Sequence, residues 1–154
     1  MSREWSLREA TSADFHAWGV LRARLWDDSA DMVVADDDMA AAIDPSRPAT
    51  AFLAVDDEGR PFGFIEVALR HDYVNGSESS PVGFVEGWYV DPDWQGRGVG
   101  RALVAAAARW TRDRGCSELC SDALIDADAS HAAHRACGFE ETERVVYFRK
   151  SLSR

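Results

Sequence analysis

The sequence predicts an α/β protein of the α+β kind, with a mixed, mostly antiparallel central sheet flanked by helices. Three observations predict it. Apolar runs of strand length follow one another at 50–55, 62–69 and 82–90. Segments with helical apolar spacing stand before and after these runs. A glycine-rich turn, Gln95-Gly96-Arg97-Gly98-Val99-Gly100, joins the third run to an alanine-rich stretch over 101–114 that reads as a helix. In order the elements read β-α-α-β-β-β-α-β-α-β, in one domain spanning residues 1–154.

Trp5 to Glu9 alternates apolar and polar residues and reads as a first strand. Ser12 is a candidate N-cap for a first helix of about three turns, because Phe15, Trp18, Leu21, Leu25 and Trp26 recur at helical spacing. A short second helix runs from the aspartates at 36–38 to Ile43 and stops before Pro45. Runs 50–55 and 62–69 flank Asp57-Glu58-Gly59 and form a hairpin. Residues 70–81 are rich in turn formers and read as a loop. The run 82–90 is the central strand, and the helix after the glycines places Val99, Leu103, Ala106 and Trp110 on one face. Gly115 is its natural C′ residue. A strand over 117–121, a helix over 129–137 capped by Asp128, a turn at Gly138 and a last strand over 145–149 complete the sheet.

The composition is that of a soluble globular protein, with 46% hydrophobic and 29% charged residues. No apolar run reaches the ~18 residues that a membrane helix needs, and the N-terminal residues lack the apolar core of a signal peptide. Cys116, Cys120 and Cys137 fit no common zinc spacing and read as reduced core thiols, which points to the cytoplasm and to no metal. The net charge of −10 makes nucleic acid a poor partner. An acidic field instead concentrates cations. Asp27, Asp28, Asp31, Asp36, Asp37 and Asp38 crowd one stretch after Trp26.

A strand, a glycine turn and a helix start place free N–H groups at one helix N-terminus, where diphosphate oxygens bind. The dinucleotide fingerprint is excluded because Arg101 stands where its third glycine belongs, and no Walker Gly-Lys-Ser/Thr triplet occurs. The remaining pattern, Gln-x-x-Gly-x-Gly, resembles the acyl-CoA pyrophosphate loop of the GCN5-related N-acetyltransferase (GNAT) superfamily. That resemblance implies the acyl-CoA N-acyltransferase fold and acetyl-CoA as co-substrate. It implies cofactor contacts at Trp88, Tyr89 and Val90, at Gln95, Gly96, Arg97, Gly98, Val99, Gly100 and Arg101, and at position 127. Many superfamily members carry Asn at that last position, whereas this chain has Ala127, so the contact is lost or passes to Asp126 or Asp128.

The segments Arg70-His71-Asp72-Tyr73-Val74-Asn75-Gly76, Ser79-Ser80-Pro81-Val82, Glu86-Gly87, Gly115-Cys116, Ser121-Asp122 and Gly138-Phe139-Glu140-Glu141-Thr142-Glu143-Arg144-Val145 resemble aminoglycoside 6'-N-acetyltransferases of the short chromosomal type. The resemblance implies aminoglycoside contacts at Trp26, Tyr73, Glu86, Asp122 and Glu143, direct attack of the 6'-amine in a ternary complex, aminoglycoside resistance and a homodimer. The chemistry agrees, because carboxylates and an aromatic wall suit a polycationic sugar. Glu86, on the central strand, is the candidate general base. His134 occupies the position of the tyrosine that protonates the departing thiolate in relatives, and imidazole titrates near neutrality.

Each residue also has a structural reading. Trp26 and Tyr73 could be packing residues, Asp122 a turn cap, Glu143 a solvated charge and His134 a packed helix residue. Glu86, set in an apolar run, reads as partnered rather than freely solvated. Two further functions stay open: acetylation of another small cationic amine, and a non-catalytic acyl-CoA-binding module.

Overall fold

The computed structural model describes residues 4–26 and 32–153. Asp27, Asp28 and Asp31 of the acidic stretch lie outside the described residues. Strand β1 (Trp5–Glu9) leads through a 3-10 turn into helix α1 (Phe15–Trp26), followed by helix α2 (Met32–Ala42). Strands β2 (Ala49–Asp56), β3 (Pro61–Arg70) and β4 (Val82–Val90) come next, then helix α3 (Val99–Asp113), strand β5 (Leu119–Cys120) and helix α4 (Asp128–Ala136). The sheet order is β1-β2-β3-β4-β5. The first four strands pair antiparallel, and β5 joins β4 in parallel through the α3 crossover. None of the helices among the described residues is long and apolar enough to cross a membrane.

The middle strands are covered on both faces, so their apolar residues run almost without a break. In β2, Ala51, Leu53 and Val55 pack with Trp18, Leu21 and Met39 of α1 and α2. Ala54, between them, joins Ile65, Val67 and Val85 beneath Leu103, Ala107 and Trp110 of α3. The period-2 alternation of a strand thus splits one sequence run between two cores. Strand β4 departs from that alternation once. Glu66 pairs with Gly87 while Val67 pairs with Val85, leaving Glu86 as the extra residue of a β-bulge. The bulge turns Gly87 and Tyr89 toward α1 and leaves Val85, Trp88 and Val90 under α3.

Several expectations are corrected. The first cap is Thr11, not Ser12, because Asp14 stands three residues on and its carboxylate accepts the Thr11 N–H at 2.8 Å. Ala127 holds the cap position of α4, so Asp128 lies inside the first turn, where its charge complements the helix dipole. On α3 the fully buried alanine is Ala107, with Val104 and Thr111 beside it, since the helix faces the sheet with a broad stripe rather than a single line. Strand 117–121 shrinks to Leu119–Cys120. Among the described residues no strand forms over 145–149; Val146, Tyr147 and Phe148 are 74%, 80% and 91% exposed. The segment has strand composition, but a strand requires an edge to pair with, and in the single chain β5 presents only two residues.

Candidate active site

Strand β4 runs from an acidic cleft at its bulge to a glycine loop at its end. After Val90, a 3-10 turn at Pro92–Trp94 reverses the chain, and Gln95 donates from Nε2 to the Val90 carbonyl at 3.0 Å, tying the loop back to the strand. Gly96 and Gly98 have φ of 79° and 83°, a region that other residues enter only with strain. Gly98 is the N-cap of α3, and a Cβ at either glycine would meet nothing within 4 Å. The loop therefore leaves open space before the first N–H groups of α3, which have no partner within the helix. Arg97 leans over the Trp94 ring at 5.1 Å, and Arg101 is exposed on the first turn of α3. Beside this helix start, the buried Trp88 Nε1 lacks an acceptor among the described residues, and a Cβ on Gly100 would lie 3.7 Å from it. Open backbone donors, an exposed cation and an orphaned indole N–H are a donor set that fits an anionic, amide-bearing ligand such as acetyl-CoA.

At the bulge, a cleft of about 480 Å³ is lined by Arg22, Trp26, Asp38, Glu66 and Glu86, with Arg47 and residues 48–50 on its far side. Trp26 and Glu86, both anticipated from sequence, are brought together here. Trp26, the last residue of α1, stands against Gly87, where a Cβ would come within 2.6 Å of the indole. Glu86 is not sunk in the core. It is half-exposed and held by Arg70, whose Nε and Nη2 donate to its two oxygens at 3.0 and 2.8 Å. Arg70 in turn lies 3.5 Å above the Phe84 ring. Its guanidinium is pushed up by the Glu86 bond against partial burial, with Asp122 and Tyr147 adding attraction. Asp122 and Tyr147 therefore stand near the same cation.

The other expected substrate residues are more dispersed. Tyr73 lies in the loop after β3, is strongly exposed, and lines an adjoining cleft of about 410 Å³ with Arg70 and His71. Asp122 is exposed just beyond β5, and Glu143 is exposed in the C-terminal segment and lines neither cleft. The loop is pinned from both sides. Glu118 accepts the Glu78 N–H at 2.9 Å and the Ser79 hydroxyl, while Asn75 Nδ2 donates to Tyr147 at 3.3 Å.

Sequence reasoning missed Glu66. Its carboxylate is buried, accepts from Trp18 Nε1 at 3.1 Å and from Arg22 Nη1 at 3.2 Å, and is pushed up to about 7, chiefly by burial. The signal was available: a lone glutamate in the apolar run Phe62-Gly63-Phe64-Ile65-Glu66-Val67 is as anomalous as Glu86 in its own run.

His134, on α4, packs beside Trp88 of β4, beyond the last β4 residue that pairs with β5. Its ring meets Trp88 edge-on at 5.2 Å and Phe139 at 5.2 Å. Nδ1 lies 2.7 Å from the Ser130 carbonyl, which only accepts, so Nδ1 carries the hydrogen. Nε2 then accepts from Ser121 Oγ at 2.8 Å. Ala127 offers a methyl group at the head of the same helix, and Asp126 and Asp128 beside it are exposed.

Comparison with known proteins agrees with this layout. Residues 6–139 match the Acetyltransferase (GNAT) family. An aminoglycoside N(6')-acetyltransferase type 1 from Stenotrophomonas maltophilia is 57% identical over 147 residues, covering 96% of this chain and 94% of the relative. The crystal structure of an aminoglycoside antibiotic 6'-N-acetyltransferase from Acinetobacter baumannii superposes with a TM-score of 0.90 at 35% identity, covering 97% of this chain and 100% of that one. The aminoglycoside N-acetyltransferase AAC(6')-Iy, in complex with the bisubstrate analogue CoA-S-monomethyl-acetylneamine, superposes with a TM-score of 0.86 at 37% identity, covering 96% and 99%. The strand that joins an acidic cleft to a glycine loop is thus the strand of an acyl-transfer fold, and the chain belongs to the acetyltransferase (GNAT) family.

Proposed function

We propose that the protein transfers the acetyl group of acetyl-CoA to the 6'-amine of aminoglycosides, by direct attack within a ternary complex, and thereby confers resistance to them. The observation that carries this reading is β4 itself. At one point the strand presents Glu86 to a cleft walled by Trp26, and it ends in the open glycine loop at the head of α3. Acetyl-CoA supplies the activated acyl group. Its diphosphate is received by the backbone N–H groups of the loop from Gln95 to Gly100, with Arg97 and Arg101 nearby, and its amide arm by the main chain of Trp88, Tyr89 and Val90. The side-chain contact that an Asn would make at position 127 is absent here, because Ala127 has no amide.

In the cleft, Glu86 orients the incoming ammonium group and takes its proton, directly or through a water, so that the amine attacks in its neutral form. Arg70 keeps the carboxylate pointed into the cleft. Trp26, Tyr73, Asp122 and Glu143 bind the remaining rings and ammonium groups. His134 holds the proton taken by the leaving sulfur. With Nδ1–H committed to the Ser130 carbonyl, the proton that His134 gives to the sulfur comes from Nε2 of its imidazolium form, directly or through the Ser121 hydroxyl. A homodimer in the cytoplasm completes the reading, supported by the exposed apolar residues Val146, Tyr147, Phe148 and Leu152 and by three free thiols.

A panel assay of CoA release tests the substrate. Kanamycin- or tobramycin-like acceptors with a free 6'-amine should turn over, and analogues with a 6'-hydroxyl should not. Turnover with polyamines or peptide N-termini but no aminoglycoside would overturn the assignment.

A further inference from the structure

Glu66 has no part in the transfer chemistry, yet a charged group under the acceptor cleft needs an explanation. A buried ion pair is often less stabilising than apolar residues of the same volume, so its presence is not accounted for by stability alone. Glu66 and Arg22 are both nearly buried, with side chains 8% and 11% exposed. One Glu66 oxygen accepts from Trp18 Nε1 at 3.1 Å, the other from Arg22 Nη1 at 3.2 Å. Arg22 then reaches Asp38 of α2 at 3.6 Å and lays its guanidinium 4.6 Å from the centroid of Trp26. Trp26 stands over Gly87 and meets Phe64 at 6.1 Å. A buried carboxylate, an arginine and an indole form one continuous strut from the core of α1 to the wall of the cleft.

We propose that the Glu66–Arg22 pair positions Trp26, holding the aromatic wall of the acceptor cleft in its binding orientation before the sugar arrives. The proposal rests on the reading of Trp26 as an acceptor contact. Trp26 is the last residue of α1 and is 42% exposed, so the helix alone does not fix its side chain. Ordering it in advance removes a cost that binding would otherwise bear. Glu66 is the nearer and buried hold on Arg22, at 3.2 Å, whereas the Asp38 side chain is 60% exposed and reaches it at 3.6 Å. The groups facing Glu66 are Trp18 and Arg22 of α1, Asp38 of α2 and Glu86 of β4. Arg22 and Trp18 favour its charged form; burial and the two acids oppose it. As pH falls through neutrality Glu66 takes up a proton and its grip on Arg22 weakens.

Steady-state kinetics on Glu66→Gln, Arg22→Met and Trp26→Ala test this. Glu66→Gln and Arg22→Met should each raise KM for a good aminoglycoside by about tenfold, the scale of one cation–aromatic contact. kcat and the KM for acetyl-CoA should be little changed. Trp26→Ala should raise the same KM, and adding Glu66→Gln to it should cost nothing further. Below neutrality the wild-type KM should climb relative to that of Glu66→Gln, since titration of the substrate amines is common to both. Additive effects, or an unchanged KM in Glu66→Gln, would overturn the strut. An unchanged KM in Trp26→Ala would instead overturn the reading of Trp26 on which it rests. Should Glu66→Gln melt early, Arg22→Met carries the same cycle.

Discussion

Arg70 holds both oxygens of Glu86, and Arg22 holds Glu66, so two carboxylates of one cleft each arrive with a resident guanidinium. The pairs differ in burial: the Glu86 side chain is 36% exposed, whereas that of Glu66, in the lining of the same cleft, is 8% exposed. Replacing Glu86 by Gln keeps the shape and removes the proton acceptor. Turnover should fall on the order of 100-fold, while acetyl-CoA affinity, measured by calorimetry, stays the same. Equal turnover would remove Glu86 from the mechanism. The buried carboxylates also set opposite pH slopes on stability. Glu66 is raised from its ordinary 4.5 to about 7, so the folded protein binds its proton more tightly than the unfolded chain does. That contribution is complete below about 4.5 and is lost as pH rises through about 7. Asp14 is held below its ordinary 3.8, first by the Arg8 bond, so its contribution is present above 3.8 and is lost as pH falls. Thermal melts from pH 4.5 to 7 should fall in the wild type and flatten in Glu66→Gln; parallel curves would contradict the burial of the charge.

Among the elements, β4 and the start of α3 do most to place the site. The bulge at Glu86 puts Val85 and Trp88, three residues apart, on the same face under α3, which regular alternation could not do. At the far end the loop depends on left-handed backbone at Gly96 and Gly98. Space is not the constraint there, since a Cβ at Gly98 would touch nothing; the backbone angle is. Gly98→Ala should therefore cost about 1–2 kcal/mol in the loop conformation. The expected result is a KM for acetyl-CoA raised roughly tenfold with an unchanged KM for the aminoglycoside. If both KM values rose together, the loop would not be a cofactor element.

For the molecule as a whole, the C-terminal segment is the exception to ordinary burial. Val146, Tyr147, Phe148 and Leu152 are all strongly exposed, a concentration of apolar side chains uncommon on a free surface. The same segment touches the loop after β3, through Tyr147 to Asn75, and Thr142 occupies the space beside Gly76. Light scattering should give twice the 17.0 kDa chain mass, and Phe148→Asp with Val146→Asp should return it to one. A wild-type monomer at micromolar concentration would refute the dimer.

The order of elements as far as α4, the hairpin, the central strand and the glycine loop were legible in the chain, because apolar period, turn chemistry and glycine position are local properties. Trp26 and Glu86 were legible as residues, through an anomalous acid in an apolar run and through likeness to a known family. Their meeting in one cleft was not, since it depends on a bulge and on where α1 ends. The cap at Thr11, the partnership of Glu86 with Arg70 and the role of Glu66 came from the folded chain. The last two depend on contacts between residues distant in sequence, whose pairing no local pattern encodes, whereas the Thr-x-x-Asp box at Thr11 is a local signal that sequence reasoning missed. The expected strand over 145–149 failed for the complementary reason: its composition is local, but its hydrogen-bonding edge is not. The sequence by itself determined most of the elements that form and that a glycine-rich turn lies between β4 and α3. Tertiary structure decided which charges face one another across the cleft, because burial and ion pairing are properties of the packed molecule and not of the chain.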